Sequence, residues 1–120
     1  MLKLIGYPKC TTCQKATKWL DDHGIAYEFR EIKCDRPTLD ELIIWHKMSG
    51  LPLKKFFNTS GLLYKSLDLK NKLPNLSEPE MLTLLASDGM LVKRPLLIDE
   101  DWVLVGFKDA EYAKRLLPNE

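Results

Sequence analysis

The sequence has little net charge, little cysteine and no long apolar run. Eighteen Lys and Arg against seventeen Asp and Glu leave +1 at pH 7. That balance gives no electrostatic reason to expect direct nucleic-acid binding or an anionic membrane surface. No apolar stretch approaches the roughly 20 residues of a membrane span. The opening Met1-Leu2-Lys3-Leu4-Ile5-Gly6 is too short for a signal-peptide core. A cytoplasmic protein with no membrane contact is therefore expected. Cysteine occurs three times, an odd count that argues against a secreted disulfide framework. In a reducing compartment, cysteines close in sequence are more often catalytic, redox-sensing or metal-binding than structural. Repeats, low-complexity tracts and linkers are also lacking, so residues 1–120 read as one domain. That length buries a core without disulfide or metal staples.

What is present alternates between two periods. Leu2, Leu4 and Ile5 form a short apolar strand, ended by Tyr7-Pro8-Lys9. Cys13, Ala16, Trp19 and Leu20 then fall on one helical face, with Gly24 as the stop. Residues 26–32 alternate as a second strand. Thr38 and Glu41 have capping-box spacing, with Leu39, Leu42 and Ile43 on one face and Gly50 closing the helix. Residues 53–57 suggest another helical turn, Asn58-Thr59-Ser60-Gly61 a loop, and 64–69 reads either way. Ser77 and Glu80 open a further helix with Met81, Leu84 and Leu85 on one face, ended by Gly89. Leu96-Leu97-Ile98 and residues 102–107, separated by Asp99-Glu100-Asp101, carry a hairpin pattern. Asp109 opens a last helix with Ala113, Leu116 and Leu117 inside and Pro118 as its stop. The order predicts an α/β thioredoxin-like fold: a mixed four-stranded sheet, βαβ…ββα, with a helical insert at about 38–89.

Cys10-Thr11-Thr12-Cys13 lies where the first strand hands over to the first helix. Unpaired N–H groups and the positive end of the helix dipole stabilise a thiolate there. Cys10, nearer the end, is the expected nucleophile. Cys13, one turn in, is the expected resolving thiol. Two rival readings stand beside this one. The thiols merely pack, or Cys10, Cys13, Cys34 and His46 bind zinc, although they lack the second paired motif of common zinc modules; no metal is expected. Cys34 reads as a free thiol, His23 and His46 as surface or packing residues, and Trp19, Trp45 and Trp102 as core or partly buried. Lysines 54, 55, 65, 70 and 72 read as a solvated basic face.

Arg94-Pro95 opens the strand after the insert. Proline is tolerated at a strand start because it has no N–H to pair. In a thioredoxin-like fold this is also where a cis-proline faces the cysteine pair, so Pro95 is the cis candidate. Arg94 would then turn its guanidinium toward the pocket, to hold a Cys10 thiolate or an oxyanion.

Three segments carry a family resemblance: Tyr7 to Ala16, Lys54 to Gly61, and Lys93 to Asp99 with Val105-Gly106-Phe107. They resemble the arsenate reductase (ArsC) family, in the branch that also contains the Spx and MgsR regulators. The resemblance implies a thioredoxin-like fold with an inserted helical subdomain, a catalytic cysteine at Cys10 and an anion-facing Arg94. It implies a thiol–disulfide oxidoreductase served by a thiol donor such as glutathione, glutaredoxin or thioredoxin, with no cofactor. Glutathione-dependent arsenate reductases of the family use three arginines and lack the second cysteine. Here the other two arginine positions fall at Asn58 and Gly106. Each lost charge-assisted hydrogen bond is worth about 1.5–3 kcal/mol, so little or no arsenate turnover is expected. The alternative implied by Spx is a redox switch that binds the C-terminal domain of the RNA polymerase α subunit. The stretch Lys93 to Phe107 is similar there.

Overall fold

A computed structural model describes residues 2–117. Strand β1 (Leu2–Gly6) leads into helix α1 (Thr11–Asp22) and strand β2 (Tyr27–Glu31). Helices α2 (Leu39–Ser49), α3 (Leu62–Ser66), α4 (Leu69–Lys72) and α5 (Glu78–Ser87) follow, with 3₁₀ turns at Leu53–Phe56, Leu73–Asn75 and Gly89–Leu91. Strands β3 (Leu96–Ile98) and β4 (Val103–Val105) precede helix α6 (Asp109–Leu116). The four strands lie in the order β2-β1-β3-β4. β1 pairs with β2 in parallel and with β3 antiparallel, and β3 pairs antiparallel with β4. This is the thioredoxin-like mixed sheet that the order of elements predicts, with its helical segment between β2 and β3.

The period-2 pattern of the strands sorts their side chains to two faces. Leu2, Leu4 and Leu97 pack with Ala16, Trp19 and Leu20 of α1 and Tyr112 of α6. Ile5, Leu96, Ile98 and Val103 pack on the other face with Leu42, Trp45, Phe56, Leu85 and Leu91 of the helical segment. The sheet is thus sandwiched, and the junction of β1 with α1 emerges at its end.

The structure revises several sequence expectations. In α2 the buried residues are Leu42 and Trp45, while Leu39 is exposed at the first helical position. In α5 they are Leu82 and Leu85, with Met81 and Leu84 half-buried beside them. Both capping boxes form: Thr38 accepts from the Glu41 N–H, and Ser77 from the Glu80 N–H. Gly89 does not end α5; that helix stops at Ser87, and Asp88 accepts from the Met90 N–H to start the next turn. Residues 64–69 resolve into the end of α3, a bend and the start of α4. In α6 the residue driven inward is Tyr112, and Leu117 lies past the helix end, exposed. The stop expected of Pro118 lies outside the described residues. Cys34 sits in the turn that follows β2. No helix among the described residues is long and apolar enough to cross a membrane.

Candidate thiol site

A tight turn delivers the first cysteine to the helix. The Cys10 N–H donates to the Tyr7 carbonyl at 3.0 Å, and Cys10 becomes the N-cap of α1, with extended backbone and half-exposed. Its carbonyl accepts the first helical bond, from Gln14, at 3.0 Å. Cys13 lies one turn in and is buried. The Tyr7 N–H donates to its sulfur at 3.3 Å. Gly6 makes room for that sulfur, since a Cβ there would stand 2.9 Å from Cys13 Sγ. Both are free thiols.

The two thiols differ in acidity. Partial burial of Cys10 works against ionisation, but the N–H groups of Cys13 and Thr12, the Cys13 thiol and the Arg94 guanidinium together carry its pKa below the ordinary thiol value. The Cys10 side chain closes no capping hydrogen bond, so the backbone N–H groups act on it as oriented dipoles. Cys13 moves the other way. Burial, with the neighbouring Cys10 sulfur, pushes its thiol up to about 12 despite the Tyr7 N–H.

Arg94 is delivered by β-type contacts between distant segments. Phe57 and Val92 form an isolated antiparallel bridge. The Lys93 N–H donates to the Phe56 carbonyl at 2.7 Å and the Asn58 N–H to the Leu91 carbonyl at 2.8 Å. These bonds lay the 58–61 loop beside the start of β3. The Arg94–Pro95 peptide bond is cis, and the Pro95 carbonyl accepts from the Gly106 N–H at 2.8 Å. The Arg94 guanidinium carbon lies 5.6 Å from the Tyr7 ring centre, and one terminal nitrogen 4.0 Å from the Met90 sulfur. Its Nε is buried with no hydrogen-bond partner. Among the described residues no carboxylate pairs with it.

A cavity of about 370 Å³ joins Cys10, Thr12, Ser60, Arg94, Gly106 and Lys108, with Asn58 and Lys93 also on its wall. The structure therefore brings Cys10, Cys13, Arg94 and Pro95 to one end of the sheet. Cys34 and His46 do not join them: no three His, Cys, Asp or Glu side chains among the described residues cluster to hold a metal. Cys34 is exposed, its N–H held by Glu31, whose carboxylate raises the thiol pKa. His46 faces Glu78 at 3.9 Å, and His23 stacks on Trp19. Sequence reasoning missed Lys93, Lys108, Ser60 and Tyr7 as lining or supporting residues. Lys93 adjoins Arg94 and Tyr7 lies three residues before Cys10, a signal that was available. Lys108 and Ser60 reach the pocket only through the folding of β4 and the 58–61 loop.

A Cys-x-x-Cys at the first helix of this mixed sheet, beside a cis-proline, defines a thioredoxin-fold protein with a paired-thiol site. The chain belongs to the ArsC family, whose profile matches residues 5–115. It is 54% identical over 106 residues to the Bacillus subtilis protein called Uncharacterized protein YusI, covering 88% of this chain and 90% of that one. It is 30% identical over 118 residues to the global transcriptional regulator Spx of Listeria innocua, covering 98% and 88%. The crystal structure of an ArsC family related protein from Bacteroides fragilis superposes with a TM-score of 0.93 at 54% identity, covering 94% of this chain and 95% of that one.

Proposed function

We propose that the protein is a thiol–disulfide oxidoreductase in which Cys10 is the nucleophile and Cys13 the resolving thiol. The observation that carries this reading is the opposition of the two thiols: Cys10 half-exposed and acidified at the helix N-terminus, Cys13 buried and held as a thiol. The Cys10 thiolate attacks one sulfur of a disulfide. The S–S bond breaks, and the departing thiolate leaves with the electron pair. Cys13 then loses its proton to the second leaving thiolate as it attacks the Cys10 sulfur. That half departs as a thiol, and a Cys10–Cys13 disulfide remains. A thiol donor of the glutathione, glutaredoxin or thioredoxin class reduces it.

Arsenate fits this site poorly. Asn58 directs its amide to the Met90 carbonyl at 3.4 Å, and Gly106 presents no side chain. Arg94 is then the one arginine on the cavity wall to form bidentate bonds with a dianion. The test is turnover of arsenate and of a disulfide by wild type, Cys10→Ser and Cys13→Ser. Disulfide turnover is expected only with both cysteines present, with a mixed disulfide accumulating on Cys10 in Cys13→Ser. Equal turnover in all three would end the reading.

The similarity to Spx over 98% of this chain favours one second reading, a redox-controlled regulator contacting the RNA polymerase α subunit. Redox-dependent capture of the α C-terminal domain would put that reading first.

A further inference from the structure

The cations around the thiol pocket continue beyond it. Lys93, Val105 and Lys108 line both the Cys10 cavity and an adjoining one of about 550 Å³. Lys54, Lys55 and Thr59 form the far wall of that second cavity. A track of cations thus extends across the two adjoining cavities, from Cys10 past Arg94, Lys93 and Lys108 to Lys54 and Lys55. Glu111 is the one carboxylate along it. Among the described residues none of these five cations is in an ion pair. Gly106 lies beside Lys93, where a Cβ would meet Lys93 Cε at ordinary contact distance, 3.4 Å. The 3₁₀ turn Leu53–Phe56 exposes Lys54 and Lys55 while burying Leu53 and Phe56 beneath them. The buried, unpartnered Nε of Arg94 marks the Cys10 end as a place that still lacks an acceptor.

We infer that this track binds the anionic half of a small disulfide, so that the substrates of Cys10 are low-molecular-weight disulfides whose thiol halves carry two or more carboxylates or phosphates. The inference rests on the reading of Cys10 as nucleophile and names the substrate class of that site. Each cavity has the volume of a small-molecule site, and a concave cationic surface concentrates anions from solution. With such a substrate the Cys10 thiolate displaces one anionic thiolate and keeps the other half as a mixed disulfide along the lysines. Attack by Cys13 then releases it. An added dithiol supplies the two electrons that return Cys10 and Cys13 to thiols.

The test compares kcat/KM for four disulfides under dithiothreitol recycling: glutathione disulfide, coenzyme A disulfide, neutral hydroxyethyl disulfide and cationic cystamine. The first two separate carboxylate from phosphate as the recognised anion. At low salt at least one of them is expected to exceed the neutral disulfide by about tenfold or more, with cystamine lowest. That advantage should fall severalfold in the Lys54→Gln/Lys55→Gln double variant and shrink with added salt. A charge-blind wild type, or an advantage that the double variant leaves intact, overturns the inference. A second arm separates it from the redox reading. S-methylglutathione and desulfo-coenzyme A are titrated by calorimetry onto Cys10→Ser, where no thiol exchange at that position occurs. Saturable binding weakened by the lysine substitutions upholds the anion track even if Cys10 proves not to be the nucleophile; no binding of either probe rejects it.

Discussion

At Arg94 a half-buried cation, its Nε wholly buried, faces a sulfur and two soft neighbours, the Tyr7 ring and the Met90 thioether, with no carboxylate among the described residues to compensate it. Its charge therefore acts on Cys10. Removing it in Arg94→Ala takes away one of the influences that lower the Cys10 pKa. The pH profile of Cys10 alkylation is expected to move to higher pH, while Arg94→Lys recovers part of the shift. An unchanged profile in Arg94→Ala would mean that the backbone N–H groups alone set the acidity. Gly106 illustrates a different residue-scale constraint. Its φ of +81° lies in the left-handed region, where a Cβ is strained by about 1–2 kcal/mol. Gly106→Ala should lose about that much in a urea melt. The same backbone is why an arginine placed at this position would not simply complete an arsenate site.

At the scale of elements, the helical segment is held to the sheet at a few close approaches. Gly89 is the tightest of them: a Cβ there would overlap the Ile32 carbonyl group, with Ile32 fully buried just after β2. No side-chain rotation relieves an overlap with backbone. Gly89→Ala should therefore force apart the end of β2 and the turn Gly89–Leu91, lowering the melting temperature sharply; a melt like wild type would show that the junction yields. This role of Gly89 was not legible in the sequence, where a glycine after an apolar face reads as a helix stop. The contact it serves joins positions far apart in the chain. The boxes at Thr38 and Ser77 were legible because the signal and the hydrogen bonds that answer it lie within four residues. The buried faces of α2 and α5 were legible only to within one residue. Their apolar residues nearly encircle the helix, so the sequence leaves the inward direction open.

At the scale of the whole molecule, β2 is tied to the helical segment by an ion pair. Arg30 at the sheet edge meets Glu41 of α2 through two bonds, of 2.6 and 2.9 Å, and also bonds the Arg36 carbonyl at 2.9 Å. Arg30 and the capping contacts with Thr38 bring the Glu41 pKa down to about 2, against some opposition from burial. A carboxylate depressed in the folded state stabilises it fully above the unfolded pKa, and that stability is lost as pH falls toward the folded one. The melting temperature is therefore expected to drop between about pH 5 and pH 2. Glu41→Gln should be less stable at neutral pH and show a flatter acid slope; an equal slope would assign acid sensitivity to other groups. The thiol site also belongs to this scale. Cys10 and Cys13 were legible because one strand-to-helix junction builds their chemistry locally. The lysine track was not, because Lys54, Lys55, Lys93 and Lys108 come from segments far apart in the chain that the Phe57–Val92 bridge and the β3–β4 hairpin help bring together.

The central claim is that one fold gives its thiols opposite characters, and alkylation resolved by site measures it directly. Wild-type protein with reduced thiols is pulsed with iodoacetamide across pH 5 to 10, and the modification of each cysteine is read by peptide mass spectrometry. Cys10 should react first, with a midpoint below the ordinary thiol range of about 8.5. Exposed Cys34 should follow at higher pH, its thiol raised by Glu31. Buried Cys13 should stay unmodified throughout. A Cys10 that reacts no earlier than Cys34, or a Cys13 modified alongside it, would contradict the account.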